Sequence, residues 1–230
     1  MKFGIFGDIH GRIEYTTILT IELFKKIVES IDVDAILQVG DMCYYPWSYS
    51  KPIYWIYGNN DMVEIIEDIE TGRKDIENLR NIKTGEVLSF QKGDQSIRVS
   101  GLNGGYDGIY YSWERSELDT RNLRNYFIKR DVEACSVLKN IDIFLTHQCP
   151  SGMDFGRGLD KDLGAAPIRE LVDRINPRFV FCGHLHRFKE VDYNGTRIYT
   201  LSQVKEEYYV LDTETEELER IKTDPQLVRG

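Results

Sequence analysis

The 230-residue chain has few histidines and cysteines, no excess of positive charge and no long apolar run. Its four cysteines show no CxxC spacing, which favours reduced thiols inside a cell over a disulfide framework or a cysteine-ligated site. No stretch approaches the roughly 18 to 20 apolar residues that span a bilayer, so no membrane partner is expected. The net charge of −9 argues against a protein built mainly to coat nucleic acid.

Nothing in the sequence indicates a second domain. Low-complexity tracts, internal repeats and Pro/Gly/Ser linkers are lacking, and a chain of this length can bury one substantial core. We predict a single domain over residues 1–230, whose tail from Asp212 onward is a peripheral strand pair or a loose end. The opening segment is too short for a signal peptide, so a cytoplasmic location is expected.

All four histidines lie in short polar clusters that follow apolar runs. Two further clusters of this kind, Gly40-Asp41 and Gly58-Asn59-Asn60-Asp61, also follow apolar segments. Together the clusters offer seven candidate ligands at strand ends: Asp8, His10, Asp41, Asn59, His147, His184 and His186.

The residue types and spacings of these candidates indicate metal binding. Asp8 with His10, and His184 with His186, stand at i and i+2, which places both side chains on one side of an extended segment. Imidazole, carboxylate and amide ligands suit Zn, Mn, Fe or Ni. Seven ligands exceed the roughly four of one structural zinc site and suit two ions that share a bridging carboxylate. Taken singly, each motif is equally typical of a turn, a cap or a loop.

Hydrophobic periodicity predicts an α/β protein with an antiparallel ending. It indicates a β-α-β opening with strands over 2–7 and 35–39 around a helix whose apolar face runs from Ile18 to Val28. Further predicted strands are 53–57, 86–90, 96–102, 141–146 and 178–182, and further helices are 62–69, 118–138 and 167–175. After the last histidine we predict strands over 189–193, 197–201 and 207–211, with a hairpin at Asn194-Gly195.

The chain resembles the calcineurin-like metallophosphoesterase superfamily in the order of its motifs, which are DxH at Asp8, GD at Asp41, GNxD at Asn59, TH at His147 and GHxH at His184. The resemblance implies a four-layer α-β-β-α sandwich of two mixed sheets with flanking helices. It further implies that the first ion is held by Asp8, His10 and His186, the second by Asn59, His147 and His184, and that Asp41 bridges them. The implied ions are Mn above all, with Fe, Zn, Ni or Co as alternatives.

The implied activity is hydrolysis of a phosphate ester by a water or hydroxide held between the two ions. Many relatives have histidine as general acid where this chain has Asn60, and an amide cannot deliver a proton. We therefore expect Asp61, a metal-bound water or a nearby tyrosine to act instead. Substrates whose leaving groups need little protonation, phosphodiesters before alkyl monoesters, are favoured.

Substrate recognition is predicted in three places. Arg12 directly follows the first motif, where it is either a phosphate ligand or a surface arginine at a helix start. Aromatic residues follow Asp41 over 44–49. A substrate-specificity insertion is expected at about 103–130, where Tyr106, Tyr110, Tyr111 and Trp113 precede Arg115, Arg121, Arg124 and Arg130. Such residues stack nucleobases and hold a phosphate backbone, but they also suit core packing or a homodimer contact.

A partial likeness points to RNA lariat debranching enzymes and to prokaryotic Icc-like phosphoesterases. The residues that carry the likeness to debranching enzymes are 141–150, 163–167 and 178–186, and it makes a nucleotide or nucleic-acid phosphodiester one candidate substrate. Against it, debranching enzymes typically have cysteine in place of Asp8 and Gly-Asn-His-Glu in place of Gly58-Asn59-Asn60-Asp61, so the likeness supports common ancestry more than a shared substrate. The alternative function is a non-catalytic metal-binding scaffold or protein-interaction module on the same fold, although such modules tend to have lost ligands.

Overall fold

The computed structural model describes residues 1–118, 123–155 and 162–228, which form twelve strands and four α-helices. The strands are β1 (Lys2–Phe6), β2 (Ala35–Val39), β3 (Ile53–Ile56), β4 (Leu79–Asn81), β5 (Leu88–Lys92), β6 (Gln95–Leu102), β7 (Ile143–Thr146), β8 (Phe179–Cys182), β9 (Lys189–Tyr193), β10 (Thr196–Thr200), β11 (Glu207–Asp212) and β12 (Glu217–Lys222). The helices are α1 (Thr20–Ser30), α2 (Val63–Glu70), α3 (Lys129–Ser136) and α4 (Ala166–Ile175), with 3-10 turns at Arg115–Leu118 and Pro225–Val228.

The strands form two mixed sheets of six. The first has the order β12-β11-β1-β2-β3-β4, in which β1 to β4 are parallel and β11 and β12 antiparallel. The second has the order β5-β6-β7-β8-β10-β9, in which the four inner strands are parallel and both edges antiparallel. The predicted combination of parallel strands with an antiparallel ending is confirmed.

Three apolar clusters hold the layers together. Residues that alternate along the strands, among them Phe3, Ile5, Val99 and Phe181, fill the space between the two sheets. Helices α1 and α2 cover the outer face of the first sheet, and α3 and α4 cover that of the second. The predicted four-layer α-β-β-α sandwich is confirmed.

The predicted helix over 118–138 is too long, because the described helix covers only Lys129–Ser136, and residues 119–122 of the prediction lie outside the described residues. The Asp131 carboxylate accepts the N–H of Ile128 at 2.9 Å, which fixes the first turn there. Before it, residues 123–125 form a turn, Tyr126 pairs with Gly105 in a β-bridge, and the N–H of Phe127 donates to the oxygen of Gly105 at 3.0 Å. Arg121, one of the arginines predicted for substrate recognition, lies outside the described residues.

Helix α4 agrees with its prediction to within one residue, because Pro167 sits in the first turn where its missing amide costs nothing. Strand β4, only three residues long, had no predicted counterpart. The tail forms β12 against β11, which is the strand-pair alternative of the prediction. Every helix within the described ranges is too short or too polar to cross a bilayer.

Candidate metal centre

Five strand ends from both sheets meet at one edge of the sandwich. Asp8 follows β1, Asp41 follows β2, Asn59 follows β3, His147 follows β7, and His184 follows β8. The carboxyl ends of parallel strands point the same way, so the polar residues beyond them gather at the same edge. The structure brings all seven sequence-predicted ligands together there.

The first cluster consists of Asp8, His10 and His186. The Nε2 atom of His186 lies 2.7 Å from Oδ2 of Asp8, and Nε2 of His10 lies 3.6 Å from the same oxygen. The two imidazole Nε2 atoms are 3.2 Å apart. Three ligand atoms that lie within 4.8 Å of one another could bind a single ion.

The second cluster forms around Oδ1 of Asn59. This oxygen lies 3.0 Å from Nε2 of His147 and 3.0 Å from Nδ1 of His184. Nδ1 of His147 lies 2.9 Å from the carbonyl oxygen of Val39, to which it donates when the imidazole is neutral. That bond leaves Nε2 with a free lone pair directed toward Asn59, as a metal-ligating histidine requires.

Asp41 lies between the two clusters. Its Oδ2 atom is 3.8 Å from Nε2 of His10 and 3.4 Å from Nε2 of His147. The backbone N–H of Asn60 donates to Oδ1 of Asp41 at 2.8 Å, and the Asn60 side chain donates to Oδ2 at 2.7 Å. One carboxylate therefore reaches histidines of both clusters, the position of a bridging ligand.

The backbone at the centre is strained. Asp41, His184 and His186 have φ values of 56°, 67° and 51°, a region that non-glycine residues enter at a cost of order 1–3 kcal/mol each. Gly58 is required for a different reason, since a Cβ there would lie 2.3 Å from Oδ1 of Asp41 and 2.7 Å from Cε1 of His147. Holding these side chains at the centre therefore costs conformational free energy.

The electrostatics of the centre favour a bound cation. Asp8 and Asp41 are buried, which raises a carboxyl pKa, yet the adjacent imidazoles hold the pKa of both below its ordinary value. Burial lowers the pKa of His147, but the carboxylates of Asp41 and Asp8 outweigh it and raise that pKa to about 10. Divalent ions would supply the same positive charge and leave the imidazole nitrogens as neutral ligands. The donor set therefore fits the ions that the sequence predicts.

Asp61 lies beside the centre with both carboxylate oxygens occupied. Oδ2 accepts the backbone N–H groups of Asp41 and Gly58 at 2.8 Å, and Oδ1 accepts the backbone N–H of Cys43 and the Tyr45 hydroxyl, both at 2.6 Å. Burial, together with the charge of Asp41, raises the pKa of Asp61 to about 6. Four donors leave no lone pair directed at a substrate, so this geometry suits a positioning residue better than the predicted proton donor.

The other predicted substrate contacts have local partners. Arg12 is exposed and donates to the carbonyl oxygen of Thr17 at 2.5 Å. Arg115 pairs with Asp131, and Arg124 pairs with Glu67.

The aromatic residues divide into buried rings and rings that are half-exposed or exposed, among them Tyr44 at 39% exposed. Tyr45 is buried against Trp55, with 5.1 Å between ring centroids, and its hydroxyl donates to Asp61, so its role is structural. Tyr110 and Trp113 are half exposed and contact each other at 5.0 Å between centroids. Only rings of the second kind have a face available to a nucleobase.

Sequence reasoning missed two polar residues beside the ligands. The Gln203 side-chain amide lies 3.5 Å from Nε2 of His10, and the Asn125 side chain contacts the loop that carries Asn59. Both come from loops without a local motif. Only the three-dimensional structure shows their proximity.

A family model described as calcineurin-like phosphoesterase matches residues 1–188. Among curated proteins, the lariat debranching enzyme of Arabidopsis thaliana is 24% identical over 234 residues, covering 81% of this chain and 54% of that protein. That of Schizosaccharomyces pombe is 24% identical and covers 81% and 48%. An uncharacterized protein of Methanocaldococcus jannaschii is 26% identical and covers 93% and 92%. The chain thus spans about half the length of the debranching enzymes it matches.

Solved structures with the same fold include a protein of Thermus thermophilus, with a TM-score of 0.69, 16% identity, and coverage of 97% of this chain and 99% of that one. GAP50, described as the anchor in the inner membrane complex of Plasmodium, has a TM-score of 0.57 and 12% identity, with coverage of 97% and 89%. At these identities the likeness concerns the fold.

Proposed function

Since the chain belongs to the calcineurin-like phosphoesterase family, we propose that it hydrolyses a phosphodiester with the help of two divalent ions, manganese foremost. The observation that carries the proposal is the position of Asp41, whose Oδ2 lies within 3.8 Å of histidines from both clusters. A site for a single ion does not require a carboxylate that lies between two clusters of histidines. When bound, the ion pair supplies an activated water as nucleophile and offsets negative charge at phosphorus.

The ligand roles follow the two clusters. Asp8, His10 and His186 hold the first ion, and Asn59, His147 and His184 hold the second. Asp41 is shared. Asp8 also accepts the backbone N–H of His184 at 3.0 Å, which ties the two clusters together.

The centre opens to solvent on one side. The side chains of His10 and His186 are 27% and 32% exposed, whereas His147 is fully buried. Asn60 is exposed at the same opening. One N–H of its side chain donates to Asp41, and the second is available to a phosphoryl oxygen. Asn60 thus orients the substrate and supplies no proton.

The lack of a free imidazole favours phosphodiesters with good leaving groups. The chain has four histidines, and all four lie in the two clusters. A leaving oxygen of high pKa needs a general acid, which contributes about 10²–10⁴-fold in rate. Asp61 has both oxygens occupied, so alkyl monoesters lack a protonating group and diesters with acidic leaving groups do not need one.

A nucleotide or nucleic-acid phosphodiester is the favoured natural substrate class. Support comes from the similarity to lariat debranching enzymes and from Tyr110 and Trp113, whose half-exposed rings lie in the segment 103–130. We assign this segment as a specificity insertion in a single domain. Arg12 acts as a phosphate ligand through the guanidinium N–H groups that Thr17 does not occupy.

The test compares an alkyl monoester with a bis-aryl diester on one manganese-loaded preparation whose ion content is measured. We expect two ions per chain and faster turnover of the diester. A clear preference for the alkyl monoester would contradict the substrate class. Two bound ions without turnover of any ester would favour the non-catalytic scaffold.

A further inference from the structure

Asn125 binds the loop that carries the second-ion ligand Asn59 from a distant part of the chain. Its side-chain Nδ2 donates to the carbonyl oxygen of Asn59 at 2.9 Å and to that of Asp61 at 2.7 Å. The residue is only 5% exposed. Both N–H groups of one buried amide thus hold the loop on either side of Asn60.

Backbone contacts hold Asn125 in place. Its carbonyl oxygen accepts the N–H of Gly105 at 2.9 Å. The preceding Gly104 has φ of +96°, and a Cβ there would lie 2.6 Å from that same oxygen, so the two segments approach as closely as glycine allows. The Arg115 guanidinium donates to the carbonyl oxygen of Tyr126 at 3.0 Å. Asn125 is therefore held by the segment around Gly104, which also donates to the carbonyl oxygen of Tyr57 at 2.8 Å, and by Arg115 beside it.

The amide group of Asn125 can adopt only one orientation. Its Oδ1 atom is buried without a hydrogen-bond partner among the described residues. Exchanging oxygen and nitrogen would direct Oδ1 at two carbonyl oxygens and lose both bonds. An unpaired buried acceptor costs about 1–3 kcal/mol. The position tolerates that cost while making two donor contacts to the ligand loop.

From this geometry we infer that Asn125 is a positioning residue for the second ion. By fixing the backbone of Asn59, it keeps Oδ1 of Asn59 at 3.0 Å from the nitrogens of both His147 and His184. The inference rests on the proposed two-ion site. It gives the segment 103–130 a second role, because this segment contains both the half-exposed Tyr110 and Trp113 and the residue that binds the loop of Asn59.

The experiment measures stepwise Mn²⁺ binding to the full-length chain by calorimetry. Asn125→Asp replaces the donors with a carboxylate of the same shape, and we expect the second ion to bind about 10–100-fold more weakly, the usual effect of removing a partner that orients a ligand. The first ion should bind unchanged. Asn59→Ala should abolish one of the two binding steps, which identifies that step as the second ion. Excess Mn²⁺ should restore turnover of Asn125→Asp.

Two variants separate positioning from damage to the fold. Asn78→Asp is the control for the same chemical change at an exposed position, because Asn78 also donates its amide to a backbone carbonyl, that of Tyr49 at 2.7 Å, away from the ligands. It should leave both steps unchanged. Asn125→Ala removes the donors without adding charge and should weaken the second step less than Asn125→Asp.

Each outcome has a defined meaning. Wild-type binding of both ions in Asn125→Asp and Asn125→Ala, or equal weakening of both steps, would overturn the inference and leave the two-ion proposal standing. A wild-type protein that binds fewer than two ions would overturn both.

Discussion

Two groups of buried carboxylates in this molecule are neutralised in different ways. Glu207, 1% exposed, accepts hydrogen bonds from Arg220 at 2.9 Å and from Lys222 at 2.9 Å. Asp8 and Asp41, equally buried, have imidazoles as ion-pair partners. The cationic partners of Glu207 are a permanent part of the chain. The donor atoms around Asp8 and Asp41, in contrast, could bind exchangeable cations. Burial of an acid thus indicates a binding site only where the fold provides no permanent counter-charge.

The largest expected effect comes from removing one charge at the centre. Asp8→Asn keeps Oδ1, which accepts the His184 N–H, and loses the oxygen that faces His186. We expect turnover to fall about 10³-fold, equivalent to about 4 kcal/mol of transition-state stabilisation. Steady-state kinetics with saturating Mn²⁺ checks this.

The same variant should also cost the metal-free fold some stability at neutral pH, because the imidazoles beside Asp8 hold its pKa below the ordinary value. In the wild type, Mn²⁺ at 100 times its dissociation constant should add about 2.7 kcal/mol per site to the free energy of unfolding. Asp8→Asn should show less of this gain in thermal unfolding. Asp34→Asn, which removes an acid paired with Lys92, is the control and should keep the full gain. A full gain from Mn²⁺ in Asp8→Asn would contradict the role of Asp8 as a ligand.

The next largest effect is expected at Glu207, where a substitution should lower stability and leave ion binding unchanged. Glu207→Gln should lower the free energy of unfolding by about 2 kcal/mol at neutral pH, because charged hydrogen bonds to Arg220, Ser202 and Tyr209 are weakened in a buried site. It should still bind two ions. Chemical denaturation measures the loss, and Glu219→Gln on the exposed side of β12 is the matched control.

The loss at Glu207 should depend on pH. Burial raises its pKa, but Lys222, Arg220 and their neighbours outweigh this and lower it to about 2, below the ordinary 4.5. Its stabilisation is therefore fully present above pH 4.5 and is lost as the pH falls toward 2. The stability difference between wild type and Glu207→Gln should shrink over that window. A difference that stays constant down to pH 2 would show that charge is not its origin.

The smallest expected effect adds an ionisable group beside the open centre. Asn60→His places an imidazole where an amide now donates to Asp41 at 2.7 Å. We expect turnover of alkyl monoesters to rise about tenfold, less than the roughly 10²–10⁴-fold of a well-positioned general acid. Turnover of a bis-aryl diester should not rise, because its leaving group needs no proton. Equal changes for both substrates would exclude proton delivery as the cause.

Local patterns in the sequence predicted the parts of the molecule that depend on local structure. The i, i+2 spacing of Asp8 with His10 and the apolar runs before each motif were sufficient to predict seven side chains that the fold gathers. Their roles as ligands stay a prediction. Asn125 and Gln203 could not be predicted, because neither lies in a local motif that would mark its contact with a distant residue. The predicted helix over 118–138 was too long, since pairing of Phe127 with Gly105 overrides local helix propensity.

Strand β1 has consequences for how the protein forms during translation. It lies between β2 and β11, so one of its neighbours is synthesised only at residues 207–212. Asp8 and His186 are likewise separated by 178 positions. A nascent chain on the ribosome therefore exposes Asp8 and His10 long before His186 emerges, and the proposed first-ion cluster can form only after residue 186 has left the exit tunnel.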